Sequence, residues 1–321
     1  MKAEDYAEEF RFFERYASGR LTKLAEKARA GLAGEISAAE LAAALLPLRL
    51  YPGGRDRGLE LKYSADQKIL ERRLPHLFGT GSLSFLGYSF DYLFEDRRGN
   101  RHVVLLFNLL SMLNEIFLRE QYGEVTANTL RRGEPVVMDC GANMGVFSLY
   151  AHALNPAARI YAFEPSAYTC GLLRKAVERN GLSDSVFPVN AALGQEERTV
   201  GLNVVREGAG LSNVVVDSEF AAGREADYKG VQQTEMTTLD LFARKNGLSR
   251  VDLIKIDTEG YEKQILRGAA GTIRKFKPVI TCSAYHLKGD LEEIPRLVHE
   301  LVPEYKSVLE TRGDPNFVFW T

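Results

Sequence analysis

The sequence predicts an α/β protein: a mostly parallel sheet with helices on both faces, preceded by a mainly helical amino-terminal extension. Three observations point there. From Pro135 onward, short apolar runs alternate with amphipathic segments of helical spacing, the pattern of strand–helix–strand crossovers. The first of these runs, Val136-Val137-Met138-Asp139, leads straight into a glycine loop and then a helix. The amino-terminal stretch instead carries helix caps and aromatic residues at helical spacing.

Taken in order, Glu4 and Asp5 stand at the start of a helix on which Phe10, Phe13 and Tyr16 recur. Gly19 interrupts it before a second helix, Leu21 to Ala30, and Ser37 with Glu40 predicts a capping box for a third. Pro47, Pro52 and Gly53-Gly54 end the helical character, with a short helix expected at Ala65 to Arg73. From Ser82 the period shifts to two, through Leu83, Phe85, Tyr88, Phe90, Tyr92 and Phe94. A turn at Arg97-Arg98-Gly99-Asn100 and a strand from His102 to Phe107 complete an expected hairpin, leading into a helix near Leu109 to Glu120.

Beyond Pro135 the expected elements are helix Met144 to Leu154, strand Arg159 to Phe163, helix Tyr168 to Arg179 and strand Val186 to Val189. Residues 199–239 are strand-rich, at Thr199 to Val205, Asn213 to Val216 and Val231 to Thr238. With Gly208, Gly210, Gly223 and Gly230 they predict an antiparallel insertion with a mobile loop beside the site. Alternation resumes with strand Val251 to Ile256, helix Tyr261 to Leu266, strand Val279 to Ala284 and helix Leu291 to Leu301. Lys306 to Glu310 and Asn316 to Trp320 close the chain as an edge hairpin. The expected division is residues 1–80 as a helical cap or oligomerisation element and 81–321 as the α/β domain.

Composition narrows the function. A 321-residue chain with 45% hydrophobic and 26% charged residues is globular and can bury a core without disulfide or metal staples. Its 41 basic and 43 acidic residues leave a net charge of -2, so nothing draws it to nucleic acid or an anionic membrane. Cys140, Cys170 and Cys282 are too few for a disulfide framework, and no Cys/His cluster has zinc spacing. The charged start lacks a signal-peptide apolar run, and Leu41 to Leu50, broken by Pro47 and Arg49, is far short of a membrane span. A cytoplasmic protein is expected.

The chemistry gathers at strand ends. In Asp139-Cys140-Gly141-Ala142-Asn143-Met144-Gly145, Gly141 permits a tight turn and close backbone approach, and Gly145 lets the helix pack near the strand. A purely structural turn would look similar. Tyr161-Ala162-Phe163-Glu164-Pro165 ends the next strand with an acid 19 residues after Gly145, where open nucleotide-binding sheets hold ribose hydroxyls. Taken alone, Glu164 reads as a solvated strand-end carboxylate. A dinucleotide fingerprint needs Gly-x-Gly-x-x-Gly, whereas Asp139 before this loop would repel a pyrophosphate and could receive an ammonium group. An adenosine cofactor with a cationic end, S-adenosyl-L-methionine, fits better.

With these pieces the sequence resembles the FkbM-type methyltransferases, enzymes of the Rossmann-like class I methyltransferase fold. The resemblance rests on the Asp139 to Gly145 loop, Phe163-Glu164-Pro165, Asn190-Ala191-Ala192-Leu193 and Thr238-Leu239-Asp240. It also rests on Leu253-Ile254-Lys255-Ile256-Asp257-Thr258-Glu259-Gly260-Tyr261-Glu262, followed by Leu266-Arg267-Gly268-Ala269. It covers roughly Tyr122 to His286 and leaves the first hundred residues or so unexplained. It implies that Asp139 and the backbone of Gly141, Ala142, Asn143, Met144 and Gly145 hold the methionine part of the cofactor. Glu164 with Pro165 would hold the ribose, and Asn190 with Ala191 would line the adenine edge. A turn-forming role for Asn190 stands beside that reading. One departure is the stretch Cys282-Ser283-Ala284-Tyr285-His286, where many relatives carry a glutamate.

Asp257, Glu259 and His286 are the expected acceptor side. Asp257 ends an apolar strand beside the methyl group, and either acid could orient or deprotonate a hydroxyl. They could also bind magnesium, although the sequence offers no evident further carboxylate or Asn partner. Glu262 reads as a helix-start acid. A neutral His286 would be the general base. Asp257-Thr258-Glu259-Gly260 is not the Asn/Asp-Pro-Pro-aromatic pattern of nucleobase methylation. The resemblance implies O-methylation of a sugar or secondary metabolite, a small-molecule or glycan acceptor, as relatives of the family carry out, by a chain that could form a homodimer. A non-catalytic interaction protein and an NAD-dependent oxidoreductase are the alternatives.

Overall fold

A computed structural model describes residues 6–45, 55–75, 77, 82–91, 103–205, 214–215 and 228–321. It divides into two compact units, residues 1–114 and 115–321. In the first, the helices α1 (Ala7–Ser18), α2 (Arg20–Leu32), α3 (Ala38–Leu45) and α4 (Arg55–Arg73) follow one another. Phe10, Phe13 and Tyr16 are buried along α1 as their spacing requires. Ser37 and Glu40 cap α3 reciprocally: the Ser37 N–H donates to Glu40 Oε2 at 2.7 Å and the Glu40 N–H to Ser37 Oγ at 3.2 Å. Inside the unit the buried Asp66 accepts from the Tyr16 hydroxyl at 2.5 Å and pairs with the Lys27 ammonium at 2.6 Å. Helix α4 begins at Arg55, well before the expected Ala65, because no proline intervenes and its Glu, Leu and Lys residues propagate a helix once begun.

A hairpin, β1 (Ser82–Phe85) and β2 (Tyr88–Asp91), turns at Leu86-Gly87, where both residues have positive φ. The expected turn at Arg97 to Asn100 lies outside the described residues. The strand expected through Phe107 is not formed: α5 (Val103–Leu113) is a helix, continued by a π turn at Asn114–Leu118. A continuous apolar run reads equally well as buried strand or buried helix, and eleven residues without a breaker exceed an ordinary strand. Phe85 packs on Tyr6 and Phe10, and Phe107 on Phe13 and Tyr16. These contacts tie the hairpin and α5 to the amino-terminal helices, so the first unit extends to residue 114, past the expected boundary at 80.

The second unit opens with α6 (Gly123–Leu130), β3 (Val136–Cys140), α7 (Val146–Leu154), β4 (Arg159–Phe163), α8 (Ala167–Arg179) and β5 (Val186–Val189). The strands β6 (Ala192–Leu193), β7 (Arg198–Val205), β8 (Val214–Val215) and β9 (Tyr228–Thr237) form a separate sheet ordered β6-β9-β7-β8. It is antiparallel except where β6 runs parallel to β9, a pairing the sequence reading did not foresee. Gly208, Gly210 and Gly223 of the expected loop lie outside the described residues. The chain continues through α9 (Leu239–Lys245), β10 (Leu253–Ile256), α10 (Glu262–Gly268), α11 (Ala270–Phe276), β11 (Val279–Ser283), α12 (Asp290–Leu301), β12 (Lys306–Glu310) and β13 (Asn316–Trp320).

The main sheet has the order β12-β13-β11-β10-β3-β4-β5, parallel from β11 to β5. Strand β13 is antiparallel to both neighbours and sits between β11 and β12. Only β12 of the terminal hairpin is therefore an edge: its residues are largely exposed, while Asn316, Val318 and Phe319 of β13 are buried. Chain order reverses between β3 and β10. A crevice opens at the carboxyl ends of parallel strands at such a switch point, which is where the loop after β3 and the acids after β10 lie.

Candidate functional site

The loop after β3 is a series of left-handed residues: Gly141 at φ 77°, Asn143 at 51° and Gly145 at 89°. The N–H groups of Gly141 and Ala142 both donate to the Phe163 carbonyl, at 3.1 and 2.8 Å, and anchor the loop to the end of β4. A Cβ on Gly141 would come within 1.9 Å of the Asp257 carbonyl oxygen. The close approach at Gly141 thus includes one between the protein's own strand ends, β3 against β10, which the sequence reading did not foresee. At Gly145 a Cβ would meet Leu173 of α8 at 2.5 Å, so this glycine lets α7 pack tightly. Ala142 and Met144 are buried, and the buried Asn143 Oδ1 accepts no hydrogen bond among the described residues.

Register places Lys255 of β10 beside Asp139 of β3. Both are buried, and Lys255 Nζ lies 3.2 Å from Asp139 Oδ1 while the Ser148 hydroxyl donates to Asp139 Oδ2 at 2.7 Å. Lys255 also donates to the Gly141 carbonyl at 2.8 Å. Burial alone would push the Lys255 ammonium down; Asp139, Tyr122 and Asp257 outweigh it and hold it raised. Here an ammonium of the protein itself, that of Lys255, faces Asp139, because a lysine stands opposite it in the next strand. Lys255 escaped the sequence reading, although a lysine between Ile254 and Ile256 in a buried strand was the available signal.

Glu164, 7% exposed at the end of β4, accepts the Asn143 N–H on one oxygen at 3.1 Å and the Ser166 N–H on the other at 2.9 Å. Burial pushes its carboxyl up to about 7 against the opposing pull of those two N–H groups. The Asn190 amide donates to the carbonyls of Glu164 and Pro165 at 2.9 and 3.0 Å, so it braces the end of β5 to the end of β4, with Ala191 following. Thr234 of β9 donates to the Pro165 carbonyl at 3.1 Å, which sets the second sheet beside this edge of the crevice.

On the other side, Asp257, Glu259 and His286 come together as expected, joined by Glu262. His286 Nε2 lies 3.7 Å from Asp257 Oδ1 and 3.6 Å from Glu259 Oε2, and Nδ1 lies 3.0 Å from Glu262 Oε1. The imidazole is 2% exposed. Glu262 is itself fixed by the N–H groups of Thr258 and Gly260 at 2.8 and 3.3 Å. Burial pushes the imidazole down, but Glu262, Asp257 and Glu259 overcome it and raise His286 to about 9. His286 is therefore an imidazolium at neutral pH and not the neutral base the sequence suggested: three carboxylates of the single stretch after β10 surround it. The Tyr122 hydroxyl donates to Asp257 Oδ2 at 3.5 Å, and the Tyr285 ring lies 4.0 Å from that of His286. Burial, with Asp314 and Asp257, pushes Glu115 up to about 7 against Arg119. Glu115, Tyr122 and Asp314 reach this cluster only through the fold, and no local pattern marks them.

The Methyltransferase FkbM domain family matches residues 139–310, more than half of the chain and the span that contains both halves of this crevice. The chain belongs to that family. Relatives include Methyltransferase sdnD of Sordaria araneosa, 29% identical over 42% of this chain and 60% of its own length. Another is 31-O-demethyl-FK506 methyltransferase FkbM of Streptomyces tacrolimicus, 26% identical over 53% of this chain and 72% of its own length. The chain thus spans 60% of the first relative and 72% of the second. Among solved structures, methyltransferase FkbM from Methylobacillus flagellatus KT aligns with 68% of this chain and 54% of its own, at 20% identity and a TM-score of 0.47.

The cofactor of an FkbM methyltransferase domain is S-adenosyl-L-methionine, and the loop fits it. Asn143 Oδ1 is a buried acceptor awaiting a donor, and Glu164, with one N–H on each oxygen, keeps lone pairs for ribose hydroxyls. Other family motifs hold the fold. Thr238 caps α9, Asp240 accepts the Gly271 and Thr272 N–H groups at the start of α11, and a Cβ on Gly268 would strike the Gly194 carbonyl at 1.9 Å. No helix among the described residues is long and apolar enough to cross a membrane.

Proposed function

We propose that this chain transfers a methyl group from S-adenosyl-L-methionine to a hydroxyl of a small molecule, a sugar or secondary metabolite. The observation that carries the reading is the convergence of Asp257, Glu259 and His286 at the carboxyl ends of β10 and β11, beside the loop after β3. The bound cofactor supplies an electrophilic methyl on a positively charged sulfur. Asp139, through Lys255, and Gly141 set the loop, while Asn143 and Glu164 hold the ligand. A hydroxyl is a weak nucleophile until its proton leaves, so an acceptor oriented on Asp257 or Glu259 gives its proton to a carboxylate as the oxygen–carbon bond forms. His286, as imidazolium, positions both acids. The name of the Streptomyces tacrolimicus relative, built on an O-demethyl acceptor, supports methylation at oxygen.

The test is methyl transfer from labelled cofactor to a panel of sugar and polyketide hydroxyl acceptors, followed by single turnovers of the variants. Asp257→Asn and Glu259→Gln should lose up to about 10²–10⁴-fold in rate, as loss of a positioned proton acceptor does, and His286→Ala should slow turnover because it positions both acids. Glu259→Gln and His286→Ala should retain cofactor affinity. Unchanged rates in all three variants would remove the site. Binding of NAD in place of S-adenosylhomocysteine would remove the reaction class, and transfer to no acceptor would favour a non-catalytic interaction protein.

A further inference from the structure

We propose that Asp257, Glu259 and His286 bind one divalent ion of the manganese, cobalt or zinc type, with Glu262 holding the histidine from behind. The proposal deepens the acceptor-side reading above, on which it rests for the ion's use but not for its binding. The donors come from three places in the fold: Asp257 from the end of β10, Glu259 from the loop that follows, and His286 from just beyond β11. Ligand atoms of Asp257, Glu262 and His286 all lie within 4.8 Å of one another.

The spacings separate two kinds of contact. Glu262 Oε1, 3.0 Å from Nδ1, is at hydrogen-bond distance, so it takes the Nδ1 proton and turns Nε2 toward the other two acids. Nε2 is 3.6 and 3.7 Å from Glu259 Oε2 and Asp257 Oδ1, too far to share a proton with either. Ligands about 2.0–2.2 Å from a common ion stand roughly 3–3.6 Å apart. Nε2 therefore stands near ligand-to-ligand distance from each of the two oxygens. A carboxylate fixed by backbone N–H groups behind the non-ligating imidazole nitrogen is the support that metal-bound histidines use. Glu262, 1% exposed and held by Thr258 and Gly260, supplies it.

Charge and donor type agree. Three carboxylates around one buried imidazole leave the group negative, and a dication reduces that charge without cancelling it. One nitrogen with two carboxylate oxygens suits manganese, cobalt or zinc over magnesium, which prefers oxygen alone. Three protein ligands leave positions open, and a hydroxyl bound there is acidified by the ion. The sequence reading grouped Asp257, Glu259 and His286 and allowed magnesium at the two acids, but took Glu262 for a helix-start acid and so missed its place behind the imidazole.

Full-length protein stripped with a chelator is titrated with cobalt(II) and manganese(II) chlorides. The expected result is about one ion per chain, with the visible absorption bands of nitrogen–oxygen-ligated cobalt. Asp257→Asn and Glu259→Gln, which keep side-chain volume, should abolish those bands, and Glu262→Gln should weaken binding by about 10–100-fold. Glu259 is partly exposed, so its variant should fold, and S-adenosylhomocysteine affinity by calorimetry verifies that it has. A spectrum of fully hydrated cobalt, or binding unaltered in both Asp257→Asn and Glu259→Gln, overturns the site. Full methyl transfer by metal-free protein overturns acceptor activation by the ion. Metal bound and lost in both variants supports the site even if no acceptor is methylated, a result that would sink the O-methylation reading instead.

Discussion

On the proposed reading Glu164 holds the cofactor ribose, which makes cofactor affinity depend on pH in a direction set by its burial. Burial raises its carboxyl from 4.5 to about 7. Ribose hydroxyls donate to the carboxylate and find a competing donor in the protonated acid, so S-adenosylhomocysteine should bind the ionised form. Affinity should then fall roughly 20–30-fold between about pH 7.5 and about pH 5.5, the ratio of ionised fractions for a pKa near 7. The ligand-free fold responds in the opposite sense. Between 4.5 and about 7 the native state binds a proton that the unfolded state has released, so stability falls as pH rises through this window, by at most about 3 kcal/mol. Glu164→Gln removes the titration and should flatten both profiles. It also leaves the N–H of Asn143 or Ser166 facing an amide donor, and the lost charged hydrogen bonds should cost about 1.5–3 kcal/mol of affinity near neutral pH. Calorimetric titration with S-adenosylhomocysteine at constant ionic strength measures both proteins. A level affinity in the unaltered chain, or the same slope in Glu164→Gln, refutes the assignment.

Gly141→Ala adds a Cβ that would sit 1.9 Å from the Asp257 carbonyl at a φ of 77°. Its stability should drop by more than the about 1–2 kcal/mol that a left-handed backbone alone costs, read as a lowered melting temperature, and equal stability by thermal denaturation would contradict the close strand approach. Lys255→Met leaves the buried Asp139 carboxylate without its ammonium and should destabilise the fold by about 3–5 kcal/mol, readable as a shifted urea midpoint. Lys255→Arg should recover part of that loss, and a midpoint unmoved by Lys255→Met would show the pair to be immaterial. Removal of residues 1–80 should change oligomeric state by light scattering or slow methyl transfer, and a truncated chain unaltered in both would dismiss the cap and dimer roles alike.

Much of this protein is written locally in its sequence. The capping box of Ser37 and Glu40 forms as its spacing requires, and β12 and β13 occupy the two segments expected as the terminal strands. The glycine loop and the strand-end Glu164 stand at one crevice because both follow neighbouring parallel strands. Hydrophobic period, caps and glycine placement act over a few residues, so one stretch of sequence is enough to show them. The tertiary structure decided the rest. Whether Val103–Leu113 became strand or helix depended on what it packs against, since an apolar run has no period to choose between them. Lys255 faces Asp139 only because β10 and β3 pair in one register, and Gly141 is required because the Asp257 carbonyl passes beside it. The charge on His286 is set by Asp257, Glu259 and Glu262 acting at once, and electrostatic environment sums over neighbours in space, whatever their separation along the chain.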